Sequence, residues 1–455
     1  MSQTTTPVNK LATEKISRLL WNYSLPAIIG TVVMSLYNIV DRIFIGQGVG
    51  PLAISGLALT FPFMNVLLAF GMLIGAGSAS RISITLGQNN KEKAEKILAN
   101  AVILTFLISG TAILLSLIFM NDLLMLFGGT ANTVKYAYDF MIIIVPGGIL
   151  TALYFGLNNI MRSSGYPQKA MFNILLGAII NIILDAIFIF VFDWGIQGAA
   201  TATVISYFVG TVNVALHFFS KNSNLRFHWK YFKLEWNIVK SILSIGMSPF
   251  SMQMGASLVV IIINATLLKY GGDFAIGAYG IINSIMMLVV MFIIGLNQGA
   301  QPIVGFNYGA GNYNRMFKTL RYTIIIASVF SVVGFIVGRF FPELSVSLFT
   351  TDENLKQIAS NALKIGVAMF PIIGFQIVIA NFFQSIGKAK MSIFLSLTRQ
   401  FIFLLPAIFI LPLFWGLDGA WASMPVSDGL SAIVSATTFF LFYKKFKANQ
   451  ERGRL

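Results

Sequence analysis

Apolar runs of membrane-spanning length recur along this chain, and they leave it few ways to fold. Residues 101–120 and 174–192 are almost unbroken apolar sequence, each about the 20 residues that a helix needs to cross a bilayer. In hydrocarbon the backbone must satisfy its own hydrogen bonds, so runs of this kind fold as helices. We count twelve, with short connections: 20–46, 52–83, 94–119, 133–160, 170–192, 196–219, 238–268, 274–300, 318–341, 356–386, 391–412 and 417–443. No stretch is left for a separate soluble domain. Only 10% of the 455 residues are charged and 56% are hydrophobic, whereas a soluble chain is typically about 25% charged. The expected fold class is all-α integral membrane.

The net charge of +15 invites a polyanionic partner, but placing the charges removes that reading. On these spans, 24 of the 31 Lys and Arg fall in the two tails and alternate loops, and five at the opposite ends. Such a bias orients a membrane protein with its basic loops inside, so both termini are expected in the cytoplasm and no nucleic acid is expected. Cysteine is absent, which excludes disulfides and thiolate chemistry. Lys10, Glu14, Lys15 and Arg18 precede the first span without an apolar core, so no cleaved signal is expected.

The chain also repeats itself. Pro26 in YSLP matches Pro249 in GMSP at an offset of 223. Ala53 with Ala275, Gly87 with Gly309, Leu126 with Leu348 and Gly165 with Gly387 are all offset by 222, and Gly195 with Gly416 by 221. A near-constant offset through six helices is a duplication. Six is even, so both copies insert the same way, as a parallel repeat with its substrate site expected near the interface. The expected division is a first lobe at 1–219, a cytoplasmic linker at 220–237 and a second lobe at 238–455.

The motifs SLPAIIG, LYNIVDRIFIG, AISGLALTFP, GAGSASRISITLGQNN, MRSSGYPQKAM, NIILDAIFIF, GIQGAATATVIS and FNYGAGNYNR occur in this order. In order and spacing the chain resembles the multidrug and toxic compound extrusion (MATE) transporters, of the DinF-like and MepA-like prokaryotic branch, over essentially its whole length. The resemblance implies two six-helix bundles related by a pseudo-two-fold axis, forming a V around a central cavity. It implies alternating access coupled to H⁺ or Na⁺, export of small organic cations and drugs, and a place in the prokaryotic plasma membrane. No cofactor and no structural metal are expected, and the protein is expected to work as a monomer.

Two acids stand out inside apolar helices of the first copy and have no counterparts in the second: Asp41 and Asp185. A carboxylate in hydrocarbon costs several kcal/mol, so such residues usually serve an ion or substrate path. Tyr37 and Asn38 precede Asp41 by four and three residues, and Asn181 precedes Asp185 by four, which places each near its acid on one helical face. From the expected entry points, Asp41 lies about 28 Å and Asp185 about 22 Å along their helices, so the two can meet. Desolvation and mutual repulsion favour a proton on such a pair, whereas a bound Na⁺ would hold both ionised. Pairing of Asp41 with Arg42 is discounted, because helix neighbours point about 100° apart. Pro26 can loosen the first helix as a hinge, or be a static packing kink.

The resemblance extends the coupling set to Thr203 and Asn158, for which a plain helix-to-helix hydrogen bond is the alternative. Tyr37, Asn38 and, in the second copy, Gln253 are candidate cavity residues, and Asp428 either joins them or caps a helix broken at Pro425. Arg399 is read as snorkelling to the inner surface. GAGS (75–78) and GAG (309–311) lack the strand–loop–helix setting of a phosphate loop. The expected function is an H⁺-coupled antiporter for amphipathic or cationic organic compounds. A Na⁺-coupled antiporter or a flippase for lipid-linked carriers is the alternative. A flippase needs a strongly cationic cavity, and only Arg42 and Arg399 are expected to be buried. An intramembrane protease could use paired acids, but a parallel repeat with one acidic copy fits transport better, so the chain is not expected to be an enzyme.

Overall fold

A computed structural model describes residues 7–126 and 133–452, without the side chains of residues 7–9, 51, 52, 54, 55, 58, 62 and 126. The repeat stretch around Leu126, the mate of Leu348, continues past the described residues. Among the described residues there is no strand. A short helix, Pro7–Thr13, precedes the first lobe's spans: α1 (Ile16–Gly48), α2 (Pro51–Gly87), α3 (Lys91–Ile118), α4 (Val134–Ser163), α5 (Pro167–Ala186, carried on to Val191 by a π-turn) and α6 (Gly195–Phe219).

In the second lobe, Trp236–Gly309 is continuous except at Gly272 (φ 66°, ψ −163°), which divides it into α7 (236–271) and α8 (273–309). Next come α9 (Tyr313–Phe340) and α10, made of Glu353–Gly366 and Phe370–Ser385 with a 57° bend between them. The last stretch divides in the same way at Gly416 (φ 54°, ψ −130°), giving α11 (389–415) and α12 (417–451). With each divided stretch taken as two helices and the bent pair as one, the spans among the described residues number twelve, as the apolar runs predict. Segment 220–235 joins the lobes and holds one 3₁₀ turn, Trp229–Tyr231.

The duplication survives in the turns. Gly50 sits at φ 117° between α1 and α2, and its repeat mate is Gly272; Gly195, at φ 55° between α5 and α6, is the mate of Gly416. A positive φ is open to glycine at little cost, so both copies kept glycine where the chain must reverse within a residue or two.

The lobes meet along α1, α2, α7 and α8. A Cβ on Gly87 would run into the carbonyl oxygen of Phe306, and one on Gly309 into that of Ile84. Ile84 and Phe306 are themselves repeat mates, so these two clashes are one contact seen twice across the pseudo-two-fold axis. Gly77 and Gly246 allow the backbones of α7 and α2 to touch, and Gly299 does the same for α8 against Ser24 of α1. Small residues of this kind let membrane helices approach to backbone contact, where dispersion replaces the missing hydrophobic drive.

Candidate coupling and substrate site

Asp185 lies on α5 just before the π-turn at Ile187–Val191, and Asp41 lies in the second half of α1. Packing of α1 against α5 brings their carboxyl groups within hydrogen-bonding reach of each other. Asp185 is completely buried, and neither of its oxygens finds a donor; the Oδ1 of Asp41 is also buried without one. Two carboxylates are acceptors only, so a hydrogen bond between them requires a proton. A single shared proton would serve one oxygen of each group and remove one charge from the apolar interior.

The surrounding side chains come from four helices, α1, α4, α5 and α6. Asn181 is buried and its Nδ2 donates to the Thr203 hydroxyl on α6 at 3.3 Å, while its Oδ1 has no partner. Tyr37 and Tyr207 meet hydroxyl to hydroxyl at 2.8 Å, and the Tyr207 ring lies against Tyr154 and Phe155. Together with Met34 and Ser206 these residues line a slot in the first lobe with room for about one water molecule. A drug-sized ligand would therefore require the slot to widen.

Several expected residues lie elsewhere. Asn38 is exposed and turns back to donate to the Met34 carbonyl at 2.7 Å, so it is no partner of Asp41. The 100° step between residues 37 and 38 carries Tyr37 inward and Asn38 outward. Asn158 is buried but belongs to an amide relay: Asn213 donates to Asn173 Oδ1 at 2.7 Å, Asn173 to Asn158 Oδ1 at 3.4 Å, and Asn158 to the Ala170 carbonyl at 3.2 Å. That relay ties α4, α5 and α6 together and touches neither acid. Gln253 reaches across the lobes to Asn65 Oδ1 at 3.2 Å.

Asp428 neither caps a helix nor lines an open surface. It is 1% exposed within α12 and accepts from Arg399 Nε at 2.6 Å, so Arg399 does not snorkel. Arg42 is exposed, with its guanidinium over the Phe61 ring 4.5 Å from the centroid, and it makes no ion pair with Asp41. The buried first-lobe cation is instead Arg162, which donates to Gln298 Oε1 at 2.6 Å and to Asn159 Oδ1 at 3.2 Å. Its place at the last turn of α4 makes it look like a loop charge in sequence. Pro26 is buried within an unbroken α1.

Two facing six-helix membrane lobes with paired acids in one of them define a class, that of the integral membrane transporters. The chain belongs to the MatE family of multidrug efflux transporters, whose sequence profile matches residues 26–187 and 249–410, one match in each lobe. It is a transporter and not an enzyme. The multidrug export protein MepA of Staphylococcus aureus (strain N315) is 26% identical over 426 residues, 94% of each chain. The protein of the same name from Staphylococcus haemolyticus (strain JCSC1435) is 27% identical over 420 residues, 92% of each. Among solved structures, the MATE multidrug transporter DinF-BH, solved as a ligand complex, is 38% identical, with a TM-score of 0.88 over 94% of this chain and 96% of that one. A MATE transporter in its bent conformation gives a TM-score of 0.92 over the whole of both chains at 25% identity.

Proposed function

We propose that this protein is an H⁺-coupled antiporter that exports amphipathic or cationic organic compounds by alternating access, with Asp41 and Asp185 as the proton site. The approach of the two carboxyls, with both Asp185 oxygens and Asp41 Oδ1 buried without a donor, carries the proposal, because a shared proton makes that contact favourable. Asn181 and Thr203 position Asp185, and the Tyr37–Tyr207 pair closes the slot beside it. Loss of the shared proton would leave two like charges in a confined space and push α1 away from α5, widening the slot for a cationic compound. Pro26 is the hinge we assign to that movement, since its missing N–H removes one helix hydrogen bond. The lobes divide at 1–219 and 238–455, with 220–237 as a cytoplasmic linker, both termini in the cytoplasm, and the monomer as the working unit.

Efflux of a cationic dye from proteoliposomes under an imposed pH gradient tests this. Wild type is expected to respond to the gradient, and the Asp41→Asn/Asp185→Asn double variant to lose that response. Equal gradient-driven efflux from both would rule out the proton site.

A second reading has its own observation. Asn181 Oδ1, both Asp185 oxygens and Asp41 Oδ1 are buried acceptors without donors, and hard oxygens of this kind also suit Na⁺. Efflux that follows a sodium gradient at fixed pH would select it.

A further inference from the structure

The pseudo-two-fold relation that pairs the lobes also gives the residues lining the first-lobe slot counterparts in the second lobe. Gly177 and Tyr207 line the slot, and the repeat offsets of 222 and 221 place Arg399 and Asp428 at the matching positions. Tyr154, another lining residue, is matched by Gln376, which is buried with an unpartnered Oε1. Where the first lobe has glycine and aromatic rings, the second has a guanidinium, a carboxylate and an amide.

The charge pair is incomplete as a hydrogen-bonded unit. Arg399 uses its Nε for Asp428 Oδ1, and neither terminal nitrogen of its fork has an acceptor among the described residues. Asp428 Oδ2 is buried without a donor. The Ser427 hydroxyl donates to the Arg399 carbonyl at 2.7 Å, which fixes α12 against α11 at this level, and a π-turn over Thr398–Leu404 distorts α11 around the arginine. Arg399 lies about 15 Å into α11 and Asp428 about 16 Å into α12 from the opposite end, so the pair is near mid-membrane. The Arg399 side chain is 32% exposed. A guanidinium at that depth with unused donors must face a water-filled space or a ligand, because hydrocarbon offers it no acceptor.

We propose that Arg399 binds the carboxylate of amphoteric organic substrates, with Asp428 holding the guanidinium while the site is empty. A planar fork with two free nitrogens matches a carboxylate in bidentate geometry, which gives direction as well as charge. Asp428 keeps the empty site neutral, so no uncompensated cation waits in the membrane. The acids of the first lobe favour the cationic part of a compound, and this site adds a pole of opposite sign. The inference rests on the export of organic compounds proposed above and narrows which compounds are taken.

Rhodamine B and its ethyl ester differ by one free carboxylate and serve as matched probes. Their affinities for the full-length protein are read by fluorescence anisotropy, and their efflux in proteoliposomes. In the Arg399→Gln/Asp428→Asn double variant, which leaves no lone buried charge, the ratio of the two Kd values is expected to move about tenfold against the acid. Arg399→Lys keeps the pair but removes the fork, and is expected to move the ratio the same way by a smaller factor. An unchanged ratio in whichever of these variants folds overturns the proposal. Failure of wild type to bind or move either dye overturns the export reading and this site with it, whereas movement of the ester alone overturns only the site.

Discussion

Tyr37 and Tyr207 share one hydrogen bond in a place where water is scarce. Replacing Tyr207 with Phe leaves the Tyr37 hydroxyl buried and unpaired, at a cost of about 1–3 kcal/mol. Removing both hydroxyls, in a Tyr37→Phe/Tyr207→Phe variant, avoids that orphan and is expected to recover most of the loss. Thermal unfolding of the three proteins in detergent checks this, and a double variant that melts below Tyr207→Phe would contradict it. The same residues show what is legible at this scale. Asp41, Asp185 and Asn181 stand out in sequence because polar groups in apolar helices are costly and therefore few, whereas Thr203 is reached only through the family resemblance. Tyr207 and Tyr154 do not, because a tyrosine in a membrane helix looks the same whether it closes a pocket or sits at the lipid interface. Asn38 misleads for a different reason: proximity along the helix axis says nothing of which way the side chain turns, and its short amide can be satisfied by its own backbone.

At the scale of helices, the contact that sequence patterning carries best is the one that glycine makes possible. Gly87 and Gly309 each lie against a carbonyl of the other lobe, and no side chain fits there without separating α2 from α8. Gly87→Leu is expected to cost about 3 kcal/mol or more, the upper end of core overpacking, since the obstacle is backbone and cannot rotate away. Gly110 on α3 has nothing within 4 Å of where a Cβ would sit, so Gly110→Leu is the matched control and is expected to be neutral. The fraction of each variant that elutes as monodisperse protein in detergent reads the difference. Helix number and order are plain in the sequence because apolar length is a one-dimensional property. The 57° bend in α10 and the π-turns in α5 and α11 are not, since they arise where neighbouring helices decide how a locally strained turn is resolved. Pro146 illustrates this: it lies inside α4, which stays one helix, while its repeat mate Ala368 lies in the break of α10.

For the whole molecule, the hydrogen bonds between lobes gather at one end, the Gln253–Asn65 bond lying nearer the middle. Ser24 donates to the Leu296 carbonyl, Gln301 to Ser80, Arg162 to Gln298, and Arg315 to the Leu11 and Glu14 carbonyls. All of these lie in the half of the bundle where α1 begins and α2 ends, which the proposed orientation places toward the cytoplasm. Alternating access requires them to part, and the Arg162–Gln298 bond is the one with a charge at stake. In the closed state Arg162 is 4% exposed and has no acid partner among the described residues, so Gln298 supplies much of its compensation. Gln298→Leu would leave that guanidinium short of an acceptor when closed but free to hydrate when open. A lost hydrogen bond to a buried charge is worth about 1.5–3 kcal/mol, which shifts the open–closed balance roughly tenfold to a hundredfold toward opening. The natural absence of cysteine gives a clean reporter. Ser83 is buried opposite Gly305 in the closed half, and a Ser83→Cys probe is expected to react slowly with a membrane-impermeant maleimide applied from that side. Adding Gln298→Leu is expected to raise the labelling rate by at least about tenfold, following the same shift in population. Equal rates with and without the substitution would show that this bond does not hold the closed state.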